Sequence, residues 1–223
     1  MHETLSAKSV NIMAYSWKTH VLLDGVDLGI TGQQNQTTQQ GGTANLTGIT
    51  NTSLSLSVIR NVPTGEVTTT GQAVNLQDAI SILKMIVGLE VNGAGKALSP
   101  YQAYAADFDG NGAVHLTDAI GVLKHVVGLS APTPNWLFFS ESDALTGRAG
   151  TAPGSAPVSI VADLTEAASE IPVGLVGVLR GDVDGSFAGI SGVKNLDVLQ
   201  PDYIQNVVAQ NGFDATQFGV YSG

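Results

Sequence analysis

The sequence predicts a mixed α and β, multi-domain chain: a small β-sandwich over residues 1–65, a helical module over 66–131, and a β-rich region over 132–223 that carries one helix. Three observations lead there. A 17-residue segment occurs twice at an offset of 40, at 73–89 and 113–129, with 11 identical positions, so one supersecondary unit is present in two copies. Upstream of the repeat, apolar and polar residues alternate with the period of a half-buried strand. Downstream, Pro132 and Pro134 mark a linker, and further apolar runs follow it.

The elements follow in order. Val10, Ile12 and Ala14 alternate with polar or amphipathic neighbours and read as the first strand. Val21-Leu22-Leu23 meets Asp24-Gly25, with Val26 and Leu28 beyond it, which reads as a hairpin. The run TGQQNQTTQQGGT at 31–43 reads as a long polar loop with no core residue. Leu54, Leu56 and Val58 alternate with Ser53, Ser55 and Ser57 in a further strand. In each repeat an aspartate, Asp78 or Asp118, stands at a helix start, where a carboxylate meets free N–H groups and the positive dipole end. Ala79, Ile80, Leu83 and Val87 recur at helical spacing, as do Ala119, Ile120, Leu123 and Val127; Gly88 and Gly128 end the two helices. Ser99-Pro100-Tyr101 opens a shorter helix that runs to about Ala106. The repeated helices are apolar around most of their circumference, more than a small module buries by itself, so a flanking domain or a partner is expected to cover them. Residues 136–140, 157–164 and 173–179 read as strands, 145–157 as a loop, and 201–210 as a helix ended by Gly212. The pattern leaves open whether this last region stands alone or packs with the N-terminal module.

Charged residues are 13% of the 223, about half the usual share. Thr, Ser, Asn, Gln and Gly must carry the surface, as in secreted bacterial β-proteins. The formal net charge of −10 argues against nucleic acid and anionic membranes as main partners and allows hard cations. Without cysteine there is no disulfide framework, thiolate site or cysteine nucleophile. The longest apolar run, near AISILKMIVGL, is interrupted by Lys84 and too short to span a membrane. The start MHETLSAKSV lacks the basic-then-apolar order of a Sec signal, which leaves a cytosolic protein, a fragment, or export by another route.

The chemistry concentrates ahead of the second repeat. Counting Asp107 as position 1, side-chain oxygens fall at 1, 3, 5 and 12 (Asp107, Asp109, Asn111, Asp118). Gly112 sits at 6, where the loop turns sharply, and Ala113 at 7 offers its carbonyl. This is the spacing of an EF-hand-type calcium loop, because alternate residues of a tight loop aim oxygens at one centre and the helix delivers the last carboxylate. His115 at position 9 is a poor ligand for a hard cation and is expected to face solvent. A twelve-residue loop ending in Asp, one exiting helix, a duplicated unit, and the Leu-Lys pairs Leu83-Lys84 and Leu123-Lys124 together resemble the dockerin domain over residues 66–130. That resemblance implies a helical fold around calcium loops and a cohesin-like protein partner. It places a partner surface at Leu76, Gln77, Leu83, Lys84, Leu116, Thr117, Leu123 and Lys124, positions that could equally be core. The first copy departs from the pattern: positions 1, 3 and 5 are Val67, Thr69 and Gly71, so no calcium is expected in that loop and packing is expected to hold its helix.

A second candidate metal loop begins at Asp182-Val-Asp184-Gly-Ser186. Its twelfth position is Val193, so Asp197, after an insertion, could close the site; a strand-end turn without metal is the alternative. The Arg180-Gly-Asp182 tripeptide invites an integrin reading, but three residues match by chance too easily. The four histidines show no zinc spacing. His125 reads as a packing or surface residue, Asp163 and Glu166 as a solvated pair, and Tyr15, Trp17 and Trp136 as core anchors rather than sugar platforms. No nucleophile elbow appears.

These readings converge on a non-enzymatic, calcium-stabilised structural or protein-interaction module, extracellular or on a bacterial cell surface. A small prealbumin-like sandwich ahead of a dockerin resembles the paired modules of cellulosome scaffolds. A self-assembling or anchoring region of a surface layer, filament or adhesin is the alternative, since the ending FGVYSG resembles type I secretion signals. A non-catalytic fragment of a secreted carbohydrate-active enzyme is the third.

Overall fold

In β1 (Lys8–Ser16) the alternating residues Val10, Ile12 and Ala14 are fully buried. The strand pairs antiparallel with β4 (Thr43–Ile49) and, on its other edge, parallel with β8 (Glu170–Leu179). With β6 (Trp136–Ser140) beside β8, the first sheet runs β4-β1-β8-β6. The second sheet combines β2 (Asp27–Ile30), β3 (Gln36–Thr37), β5 (Ser53–Ile59) and β7 (Ile160–Asp163) in the order β3-β2-β5-β7, all antiparallel. This computed structural model describes residues 7–39, 41–62, 66, 72–145, 147–166 and 168–189. The helix expected at 201–210, together with Val67, Thr69, Gly71, Val193 and Asp197, lies outside them.

Both sheets draw strands from before and after the helical segment, which enters between β5 and β6. A parallel neighbour for β1 cannot come from a tight hairpin, so the chain must travel through the helices before β8 closes the sheet. Arg60, at the exit from β5, is buried; it pairs with Glu66 at 2.7 Å, donates to the Asp24 carbonyl and lies over the Trp136 ring.

Two local expectations are corrected. Asp24-Gly25 does not fold 21–23 back on 26–28: Leu22 bridges to Tyr15 and β2 pairs with β5. The Asp24 carboxylate instead accepts the N–H groups of Gly41 and Gly42, so the turn carries the chain between sheets. The polar run 31–43 does contain a core residue. Thr38 is 2% exposed, because its hydroxyl donates to the Leu23 carbonyl and accepts from Val26 N–H, leaving no polar atom unsatisfied.

Three helices stand among the described residues: α1 (Leu76–Ile86), α2 (Pro100–Ala106) and α3 (Leu116–Val126). The aspartates at the repeated helix starts are the third residues of the first turn, and they cap the N–H of the residue that precedes each helix. Asp78 reaches back to Asn75 N–H, and Asp118 to His115 N–H, each at 2.8 Å. α1 and α3 pack on each other through Ala79, Ile82, Met85, Ala119 and Val122. α2 is wholly buried, with Tyr101 and Tyr104 against Phe139 of β6 at centroid distances of 5.7 and 4.7 Å. One continuous apolar cluster therefore runs from the sheets into the helices.

The repeats differ where this packing demands it. Ser81 in α1 corresponds to Gly121 in α3, and a Cβ at Gly121 would stand 2.9 Å from the buried ring of Phe108. Gly121→Ala is expected to destabilise the chain by about 1–2 kcal/mol in urea denaturation despite the better helix propensity of alanine. Ser81→Ala, where a side chain is already accommodated, should be close to neutral; equal losses at both positions would refute the packing explanation.

Candidate metal centres

The Asp107 loop leaves buried α2 and enters α3, and its backbone N–H groups are organised by its own carboxylates. Gly112 N–H donates to Asp107 Oδ2 at 3.0 Å, Asn111 N–H to Asp109 Oδ1 at 3.1 Å, and Asp109 N–H to Asp118 Oδ1 at 3.0 Å. Gly110 has a φ of 79°, a left-handed turn that favours glycine. Asp107, Asp109 and Asp118 each present a carboxylate oxygen within 4.8 Å of the others. Asp107 is 1% exposed and its Oδ1 accepts no hydrogen bond, although a buried carboxylate oxygen is costly to leave unpaired. The Ala113 residue is half-buried at the seventh position, and His115 is exposed.

The structure also gathers Asp78, Asp182 and Asp184, again with carboxylate oxygens within 4.8 Å of one another. Three of their hydrogen bonds match those of the Asp107 loop, although Asp182 Oδ1, unlike Asp107 Oδ1, accepts from Ser186. Phe187 N–H donates to Asp182 Oδ2 at 3.0 Å, as Gly112 does to Asp107. Ser186 N–H donates to Asp184 Oδ1 at 3.0 Å, as Asn111 does to Asp109. Asp184 N–H donates to Asp78 Oδ1 at 3.0 Å, as Asp109 does to Asp118. Gly185 repeats the left-handed turn of Gly110, with a φ of 64°. The Ser186 hydroxyl lies 3.2 Å from both Asp182 Oδ1 and the carbonyl of Ala73, the residue equivalent to Ala113. A twelve-position loop is thus assembled from two segments: residues 182–187 supply its first half, and 73–78 its second.

This arrangement recasts the second candidate. Asp182, Asp184 and Ser186 come together, and the carboxylate that stands at the twelfth position beside them is Asp78. Asp197 lies outside the described residues. Reading the Asp182 loop along the chain missed Asp78, although two signals were present: Asp78 persists in a repeat whose first half has lost its acids, while the Asp182 run has a first half and no twelfth ligand.

Electrostatics set the cost of both clusters. Burial pushes the Asp78 carboxyl up to about 7, opposed by the bond from Asn75 N–H and reinforced by Asp184. Burial likewise raises Asp182, with the Asp78 charge adding to it. Asp107 is raised by burial, while Gly112 N–H and Arg180 pull it down. Such oxygen-only sets, with no nitrogen or sulfur donor, suit a hard divalent cation.

The remaining candidates separate cleanly. Leu76, Leu83, Leu116 and Leu123 are 55%, 38%, 57% and 36% exposed, so they form surface and not core. Gln77, Thr117 and Lys124 are exposed beside them and Lys84 is half-buried. Arg180-Gly-Asp182 is turned inward, with Asp182 2% exposed. Tyr15, Trp17 and Trp136 are buried. His125 packs edge-on to Phe108, and burial lowers its pKa. Asp163 and Glu166 are exposed, and Thr165 N–H lowers the Asp163 carboxyl. No protein-family model, curated protein or solved structure matches the chain.

Since folding raises the carboxyls of Asp78 and Asp182, the folded chain holds protons that the unfolded chain releases near the ordinary value of 3.8. Their stabilising contribution is complete below that value and is lost as pH rises, that of Asp78 through about 7 and that of Asp182 above the ordinary carboxyl range. In protein freed of divalent ions, the melting temperature should therefore fall between pH 4.5 and 7.5, and Asp78→Asn should flatten the fall. A rise over the same interval would contradict the geometry.

Proposed function

We propose that this chain is a non-enzymatic, extracellular structural module that two calcium ions clamp and that docks a protein partner through its paired helices. The observation that carries the reading is the buried Asp107 Oδ1, without a hydrogen bond, inside a ring of three carboxylates. Asp107, Asp109, Asn111, the Ala113 carbonyl and Asp118 would hold one ion; Asp182, Asp184, Ser186, the Ala73 carbonyl and Asp78 would hold the other. Calcium fits better than magnesium because it accepts six to eight oxygens in flexible geometry, whereas magnesium retains waters and demands an octahedron. The ion neutralises clustered acids that burial otherwise forces towards protonation, so binding contributes to folding directly. Affinities of about 10⁻⁴–10⁻³ M suit loading outside a cell.

The two helices then present a duplicated apolar surface. Val87 and Val127 are each 67% exposed, and Leu89 and Leu129 each 62%, so both copies display the same residues to the same extent. With Lys84 and Lys124 on this surface, it suits an apolar protein face that carries carboxylates, as a cohesin-like partner of a dockerin-like module would. Self-association through the same face is the other reading, and the oligomeric state in calcium decides between them.

Titration calorimetry and mass spectrometry on the intact chain should count two calcium ions. Asp107→Asn, Asp182→Asn and Asp78→Asn should each leave one, whereas Asp197→Asn and Thr69→Ala should leave two. No ion on the wild type would end the proposal, and loss of one ion in Asp197→Asn would return the closing ligand to that residue. Leu83→Asp with Leu123→Asp should abolish partner binding or self-association while leaving both ions bound.

A further inference from the structure

Arg180 belongs to the segment that builds one ring but places its side chain on the other. Its main chain leaves β8 with N–H bonded to the Asn135 carbonyl at 2.9 Å, and the next residue, Gly181, donates to the Ala105 carbonyl at 2.8 Å. The guanidinium lies across Gly110, where a Cβ would stand 2.7 Å from Nη1. Nη2 is 3.7 Å from Asp107 Oδ2, and the side chain is 14% exposed. In the assembled ring, the nearby cation is placed differently: Lys18 Nζ bonds the main-chain oxygen of Asp184, not a ligand carboxylate, at 2.6 Å.

We propose that Arg180 sets the ion preference of the Asp107 site, acting as a fixed positive charge that weakens cation binding there and favours divalent over trivalent ions. This rests on the metal reading above. Three carboxylates carry a charge of −3, which suits a trivalent ion; a guanidinium beside them leaves −2, which a divalent ion balances. The repulsion between Arg180 and a bound ion scales with the ion's charge, so removing it helps a trivalent ion more. Arg180-Gly-Asp182 is thereby a cross-brace, with its arginine serving one ring and its aspartate the other.

The test uses the full chain with Asp78→Asn, which leaves the Asp107 site to be read alone. Calcium is measured by calorimetry and terbium by luminescence, with and without Arg180→Met; Arg180→Gln replaces it if the methionine variant does not fold. The neutral variant should bind calcium about tenfold more tightly and terbium by a clearly larger factor, on the order of thirtyfold. Arg180→Lys should stay within threefold of the parent for both ions. In ion-free buffer the neutral variant should also melt below the parent, since the carboxylates lose their counter-charge. Equal or weaker calcium binding, or equal tightening for the two ions, would overturn the role of Arg180 while leaving the site intact. If the parent binds neither ion, the metal reading itself falls, and this inference with it.

Discussion

Three carboxylates drawn within a few ångströms, two of them buried, form the constraint around which the helical part is arranged, and the chain meets it twice. Like charges at such separations resist folding unless they are protonated, hydrogen-bonded or bridged by a cation. Each ring uses backbone N–H donors first: the same three loop-to-carboxylate bonds recur in both, and in both the helix aspartate also takes the N–H of the residue three before it. These bonds orient the oxygens inward but remove little of their net charge. The residual charge is the physical basis of the cation binding proposed above.

Meeting the constraint on two segments has a topological consequence. Asp78 lies 105 residues before Val183, whose N–H it accepts at 2.7 Å. Those residues include α2, α3 and three strands, so the assembled ring joins the start of the helical insertion to the segment that follows β8. The β-sheets therefore position the ring, and the ring in turn holds α1 against the end of β8. Gln102 of α2 adds to this junction by donating to the Val183 carbonyl at 3.2 Å. The helical segment is consequently tied to the sandwich through polar contacts as well as through the shared core.

Much of this was legible in the residues. The duplicated helices, the Ser99 start of α2, the alternating strands and the Asp107 ring all follow from local spacing, since each depends on residues within a dozen positions of one another. What escaped depends on distant partners. The meeting of Asp78 with Asp182 and Asp184 was missed because a twelve-residue motif is normally counted along one stretch of sequence, and the two half-signals stand more than 100 residues apart. Thr38 looked like loop because hydrophobic patterning ignores a hydroxyl whose two bonds are made at a sheet corner. The hairpin expected at Asp24-Gly25 failed for a related reason: its carboxylate is used by Gly41 and Gly42, which no turn rule anticipates.

The exposed apolar residues of α1 and α3 are those left over once each helix has buried its inner face. In an amphipathic helix the apolar stripe ordinarily faces the core; here the inner face mixes the small residues Ala79, Ala119 and Gly121 with Ile82, Met85 and Val122, and further leucines, isoleucines and valines remain outside. Asp78 and Asp118, at the starts of α1 and α3, are buried against the loops whose N–H groups they accept. The apolar residues beyond what the inner face takes are left on the surface. Such an exposed face carries a cost in solubility, and the equal exposure of its two halves is the feature on which the proposed docking surface rests.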